Sequence, residues 1–302
     1  MINVEKTHQR LVHELEERET RKMQEFVAEN KASRAAADER LPQAIEIARK
    51  AGIDAETVDR FAQEQGDARA KELDQIKKKF AAKAGEPKVI APDVIRSEAL
   101  SSALHAGEAK TLTPAWAGIY SSKDPEDKLA GGTGTDIPNP TIVDAWCWAS
   151  GAGNGWFGSG AGQYRVVVDW GYWYFVPTTK FYGITTHDVF RGYYIVRSFD
   201  DWWISAYSRA VVTMDTNVWQ YNWKGWSGVN VLDVGGDNIN VNQRFDTDRH
   251  FYSTALLAGG DWAFVLSRVE LYVYARAGGS YSELNFANGA ANYLAAPHVH
   301  II

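Results

Sequence analysis

All twelve tryptophans and all fourteen tyrosines of this 302-residue chain lie from Trp116 onward. Before that point the only aromatic carbocycles are Phe26, Phe61 and Phe80. Large flat rings fill packed interiors, so the two parts call for different architectures. The first part is rich in Ala, Glu, Lys, Arg and Gln, which favour helix. The second part carries period-two alternation, clearest over 268–276. There Val269, Leu271, Val273 and Ala275 fall on one face, and Arg268, Glu270, Tyr272, Tyr274 and Arg276 on the other. Such alternation predicts a strand with one dry face and one face of tyrosine and charge. Gly278 and Gly279 end the run as a turn requires.

Further strands are expected over 142–148, 164–176, 193–197, 202–214, 229–234, 239–242, 251–258 and 293–301. Gly, Asn and Asp turns separate them, with no helical window between. The fold class is therefore expected to be segregated α+β. An N-terminal α-helical arm or hairpin (1–85) leads through a connector (86–140) to an antiparallel β-sandwich of jelly-roll type (141–302). The connector is expected to hold one short helix over 92–106. Gly131, Gly132, Thr133 and Gly134, then Pro138 and Pro140, read as an exposed loop.

In the arm, Val4, His8, Leu11 and Leu15 recur at spacings of four, three and four, a coiled-coil-like seam. Met23, Phe26 and Val27 continue it. Glu14 with Arg18, and Glu17 with Arg21, are placed to pair one turn apart. Pro42 is expected to break or bend the helix and start a second one carrying Ile45, Ile47 and Ala48. Gly52 suits a C-cap and Asp54 the N-cap of a third segment. That segment turns Val58, Phe61, Leu73, Ile76 and Phe80 inward. These helices have too few large apolar residues to offset their ordering entropy alone. They must pack on the β part or on copies of themselves, which makes a homo-oligomer the expected partner.

The net charge of −6 argues against nucleic acid, which needs a concentrated excess of Lys and Arg. Cys147 is the sole cysteine, so no intrachain disulfide forms. The first residues are charged and lack an apolar h-region, so no secretory signal is read. That points to cytoplasmic synthesis, with incorporation into a particle or release without a classical signal both open. No stretch approaches the roughly 20 apolar residues of a transmembrane helix.

The candidate ligand-binding residues are Trp219, Tyr221, Trp223 and Trp226, with Trp202 and Trp203. Flat rings beside Asn, Gln and Asp suit sugar faces and hydroxyls, and suit a protein interface equally. Filling the space between two sheets is the alternative use of the same rings. Lys224 and Gly225 mark a loop tip. Asp233, Asp237, Asn238, Asn240, Asn242, Asp246 and Asp248 offer hard oxygens that could hold Ca²⁺. They do not match an EF-hand loop, and Asn240 and Asn242 alternate with Ile239 and Val241 as a wet strand face. No other cofactor is expected. His298 and His300 share a strand face, half of a metal site without a matching pair. His187–Asp188 and Asp248–His250 could meet in space. An acid–base pair such as Glu270 with Asp169 is imaginable, with a solvated or Arg-paired carboxylate as the alternative use of Glu270. No phosphate loop, dinucleotide fingerprint or Gly-x-Ser-x-Gly motif is present.

A polar helical N-terminus followed by an aromatic-rich sandwich resembles, in outline, phage appendage and adhesin subunits. The resemblance lies in the plan and not in any motif. The leading expectation is a non-enzymatic structural or binding subunit, assembled or docked by its helices. Its Trp/Tyr surface would meet a partner or glycan. A carbohydrate-active enzyme and a membrane-active, pore-forming toxin are the alternatives.

Overall fold

The computed structural model describes residues 1–82, 109–133, 140–151, 160–199, 205–287 and 292–302. It is mostly antiparallel β-sheet with a long N-terminal helix. The expected helix at 92–106, Gly134 and Pro138 of the expected loop, and Trp202 and Trp203 lie outside the described residues.

A six-stranded sheet is built on β6 (Ala161–Val176), β9 (Tyr207–Gln220) and β14 (Asp261–Arg276). Strand β14 pairs with β6 along its whole length and with β9 from Phe264 to Arg276. β2 (Trp116–Ser121) closes one edge on β6. β10 (Asn222–Trp223) and β11 (Ser227–Asp237) share the other edge on β9.

The second sheet runs β1 (Lys110–Leu112), β16 (Tyr293–Ile301), β7 (Lys180–Arg191), β13 (Thr247–Leu257), with β4 (Ile142–Val143) also on β16. The third runs β12 (Asn240–Arg244), β8 (Tyr193–Arg197), β15 (Tyr281–Phe286), β5 (Ala145–Ser150), β3 (Ala130–Gly132).

All three sheets contribute to one core. Val269, Leu271, Val273 and Ala275, the dry face read from the alternation, are completely buried in it. Tyr182, Ile184 and Phe190 enter from the second sheet; Cys147, Val196 and Leu284 enter from the third. The Tyr172 hydroxyl ties the six-stranded sheet to the second by donating to the Ala296 carbonyl (2.9 Å).

Several expectations need correction. Gly131 and Gly132 are not in an exposed loop but in β3, paired with Trp148 and Cys147. A side chain at Gly132 would come within 2.5 Å of the Tyr164 ring, so this pairing needs glycine. β7 and β15 were not anticipated, because buried Thr, His, Asp, Ser, Glu and Asn interrupt their apolar pattern.

Pro42 does not break the arm: α1 runs unbroken over Val4–Lys50. Its ring removes one backbone donor, and Asp38, whose carbonyl that donor would have met, is exposed where water can replace it. Ile47 is exposed and Ala48 buried.

The helix stops as the sequence predicts. Gly52 (φ +78°) donates to the Arg49 carbonyl and Ile53 to that of Ala48, a Schellman cap. Asp54 then caps α2 (Ala55–Ala82) by accepting from the Glu56 and Thr57 amides. Glu14 pairs with Arg10 and Glu17 with His13, while Arg18 turns to Glu19.

The helices cover two different sheets. Leu11 and Leu15 bury themselves on Trp219, Phe264 and Leu266, the outer face of the six-stranded sheet. Complete burial of each leucine is worth roughly 1.5–3 kcal/mol. Leu73, Ile76 and Phe80 of α2 pack on Tyr193 and Ile195 of the third sheet. The Phe80 and Tyr193 rings stack at 4.6 Å. The side chains of Val58 and Phe61 lie outside those described.

Candidate functional site

Period-two geometry puts Phe264, Leu266, Arg268, Glu270 and Tyr272 on the face of β14 opposite the core, together with Trp219 of β9 and Trp173 of β6. This is the polar face predicted from 268–276, yet it is not simply solvated, because α1 lies across it. His8 Nδ1 accepts from the Trp173 indole N–H (3.2 Å), and its ring meets those of Trp173 and Phe264 edge-on. The Arg10 guanidinium lies 5.4 Å over the Trp219 ring. At the helix start Asp261 accepts from the Ile2 amide (2.6 Å) and from the Tyr221 hydroxyl (2.9 Å).

One turn past Leu15, the apolar seam is interrupted by Glu19, which is buried all the same. Its carboxylate meets Arg268 at 3.0 Å, and Arg268 makes a two-pronged pair with Asp169 at 2.7 Å on each arm. Burial pushes the Glu19 carboxyl up, but Arg268, Lys22 and Arg18 outweigh that and hold it below the usual range. The Trp226 ring closes the site, 4.4 Å from the Arg268 guanidinium.

Farther along, Asn30 accepts from the Gln163 amide, and Gln163 accepts from the Tyr272 hydroxyl (3.0 Å). Arg34 then grips Asp127 with two bonds of 2.7 Å.

The predicted aromatic residues thus separate. Trp219 is buried and Trp223 half-buried in the cluster beneath α1. Tyr221 is 59% and Trp226 38% exposed, and they form the rim. Tyr221 takes a left-handed backbone (φ 66°) at the reversal from β9 into β10. Trp173 and, beyond it, Trp116, Phe264, Glu19 and Arg268 belong to the same site, and the last four were not singled out as site residues from sequence. The exception to alternation, a charged residue in an apolar helical seam, was the available signal for Glu19.

The imagined acid pair does not form. Asp169 is held by Arg268, and Glu270 pairs with Arg165 (3.0 Å). Asp215, beside them, has its carboxyl pushed up by burial and then by Glu270.

A second cluster lies on the outer face of the β7 sheet. The pairing sets His187 opposite both His250 and His298, so the two pairs suspected of meeting do meet. His187 Nδ1 and His298 Nε2 are 3.0 Å apart, and His300 Nδ1 meets the Thr111 hydroxyl at 3.0 Å. Burial first, then the neighbouring imidazoles, pushes His187 and His300 down to about 3 and His298 to about 4. These rings are neutral at pH 7.

Among the described residues no group of three or more His, Cys, Asp or Glu side chains is placed to hold a metal ion. Three of the seven residues considered for Ca²⁺ are drawn to arginines: Asp233 to Arg209, Asp246 to Arg244, Asp248 to Arg191. No helix among the described residues is long and apolar enough to cross a membrane.

No protein-family model and no curated protein sequence matches the chain. Among solved structures, TmCBM61 in complex with beta-1,4-galactotriose is 7% identical, with 63% of this chain and 90% of that one covered, at a TM-score of 0.20. A CBM4 structure is 8% identical, with 54% and 86% covered, at 0.17. The enzymatically active domain of bacteriophage CBA120 tailspike protein 4 is 9% identical, with 62% and 19% covered, at 0.14. Scores this low leave the function of this chain to its own residues.

Proposed function

We propose that the three sheets make a β-sandwich, the six-stranded sheet forming one layer and the β7 and β8 sheets the other. We further propose that the protein is a non-enzymatic binding subunit of a larger assembly. Its helices dock or assemble the subunit, and its Trp/Tyr surface engages a glycan or protein partner. The observation that carries this reading is the aromatic rim. Tyr221 and Trp226 stay exposed at the border of a Trp cluster that α1 otherwise covers. Rings held by Asp261 and Arg268 are pre-set, so binding costs little side-chain entropy.

Glycan-array screening of the full chain, with Trp226→Ala and Tyr221→Ala in parallel, tests the surface. Sedimentation at about 10 μM tests the assembly. Retention of a glycan, weakened about tenfold by either substitution, supports the reading. A strict monomer that retains no glycan and captures no protein through this rim defeats it.

A further inference from the structure

The edge strand β2 runs beside α1, and the space between them is a groove of about 580 Å³. Met23, Val27 and Ala28 form its helical wall, and Ile119, Ser121 and Lys123 its strand wall. Strand β2 pairs with β6 on one side, and no described strand lies on its other side.

The ladder fixes which main-chain groups face that open side. The Ser122 amide donates to the Arg165 carbonyl (3.0 Å), the position that continues the register of Ser121 opposite Val166. Along an antiparallel strand the main chain faces its partner at every second residue. Tyr120 therefore faces β6 as Ser122 does, and Ile119 and Ser121 turn their N–H and C=O groups into the groove. The Ile119 side chain is buried in the core, so what it lends the groove is backbone.

A row of unpaired main-chain groups is a template for another strand, and an apolar wall beside it selects alternate side chains. Charge adds a direction. Lys31 is taken up by Asp124 (3.1 Å) and Glu126 (3.5 Å). Lys123, exposed at the strand end, has no carboxylate partner among the described residues.

We propose that this groove receives an extended segment of a partner protein, added to β2 as a further strand. Its main chain bonds to Ile119 and Ser121, its small apolar side chains lie on Met23 and Val27, and an acidic residue at one end meets Lys123. The site is separate from the Trp226 rim, and its test does not depend on that reading.

A fluorescein-labelled peptide of about eight residues, alternating valine and threonine and closed by glutamate, is titrated with the full chain by fluorescence anisotropy. Saturable binding is expected. Ser121→Pro removes an outward N–H and leaves the bonds of β2 to β6 in place, so it should weaken binding about tenfold. Ala28→Trp fills the groove from an exposed helix position and should weaken it similarly, which guards against a folding defect in the proline variant. Lys123→Glu should weaken it about threefold and favour a peptide closed by lysine. No binding up to about 1 mM, or equal binding by Ser121→Pro and Ala28→Trp, overturns the proposal. So does sedimentation showing that copies of the chain already pair through this edge and separate in Ser121→Pro.

Discussion

The outer face of the six-stranded sheet and the outer face of the β7 sheet both bury polar side chains, by opposite means. Beneath α1, Arg268 stands between Glu19 and Asp169, so charge is kept and balanced. On the β7 sheet, His187, His298 and His300 are buried with their charge removed. The first arrangement demands that every member stay. The second demands that the solution stay above the pH at which imidazole charges. A helix laid on a sheet can therefore be secured by ions, whereas stacked imidazoles make their sheet sensitive to acid.

The largest expected effect comes from breaking the first arrangement. Arg268→Ala leaves the buried Asp169 without its counter-charge and Glu19 with only Arg18 and Lys22, and should cost about 3–5 kcal/mol in urea unfolding. A loss under about 1 kcal/mol would mean that α1 does not hold Glu19 in place.

Next comes Asp188, buried on the inner side of β7, where its oxygens accept from the Ser267 hydroxyl (3.3 Å). Burial pushes its carboxyl up to about 8. The unfolded carboxyl ionises near the ordinary value, so stability is full below that value and falls as pH rises toward about 8. Asp188→Asn should thus stabilise the protein by about 2–4 kcal/mol at pH 8 and by nothing at pH 4. Equal melting temperatures of the two proteins at pH 8 would refute this.

The histidines carry the opposite slope. Their folded values lie below the unfolded one, so the unfolded chain takes up protons first as pH falls below about 6.5. Each should contribute a loss of about 1.4 kcal/mol per pH unit until its folded value near 3 or 4 is reached. His187→Asn should flatten the fall of stability between pH 6 and pH 4 by about that slope. An unchanged slope would show that the cluster is not the acid sensor.

The smallest effect belongs to the rim of the same face. Arg191 and Asp248 pair at 2.6 Å but stay partly open to water. Asp248→Asn should cost no more than about 1 kcal/mol at pH 7. A loss comparable to that of Arg268→Ala would erase the distinction between the two faces.

Much of this was legible in the chain itself. The alternation over 268–276 named the inward residues of β14, and 293–301 and 193–197 coincide with β16 and β8. Gly52 and Asp54 marked the helix turn through local chemistry, which needs no partner. β15 escaped notice because Ser282, Glu283 and Asn285 read as wet residues. They are buried because the Tyr193 and Tyr281 hydroxyls donate to Glu283, and the Asn285 amide also reaches it. Trp219 and Trp223 were recognisable as site residues, but what covers them was not. The Glu19–Arg268 contact joins opposite ends of the chain, and no local pattern encodes it.

Cys147 sits in the middle of β5, fully enclosed, with β3 on one side and β15 on the other. Burial pushes its thiol well above the ordinary range, which leaves it inert while the strands are joined. As the only sulfhydryl of the chain, it is a built-in clock. The rate at which a disulfide reagent consumes it records how often β5 parts from its neighbours, without any label being introduced.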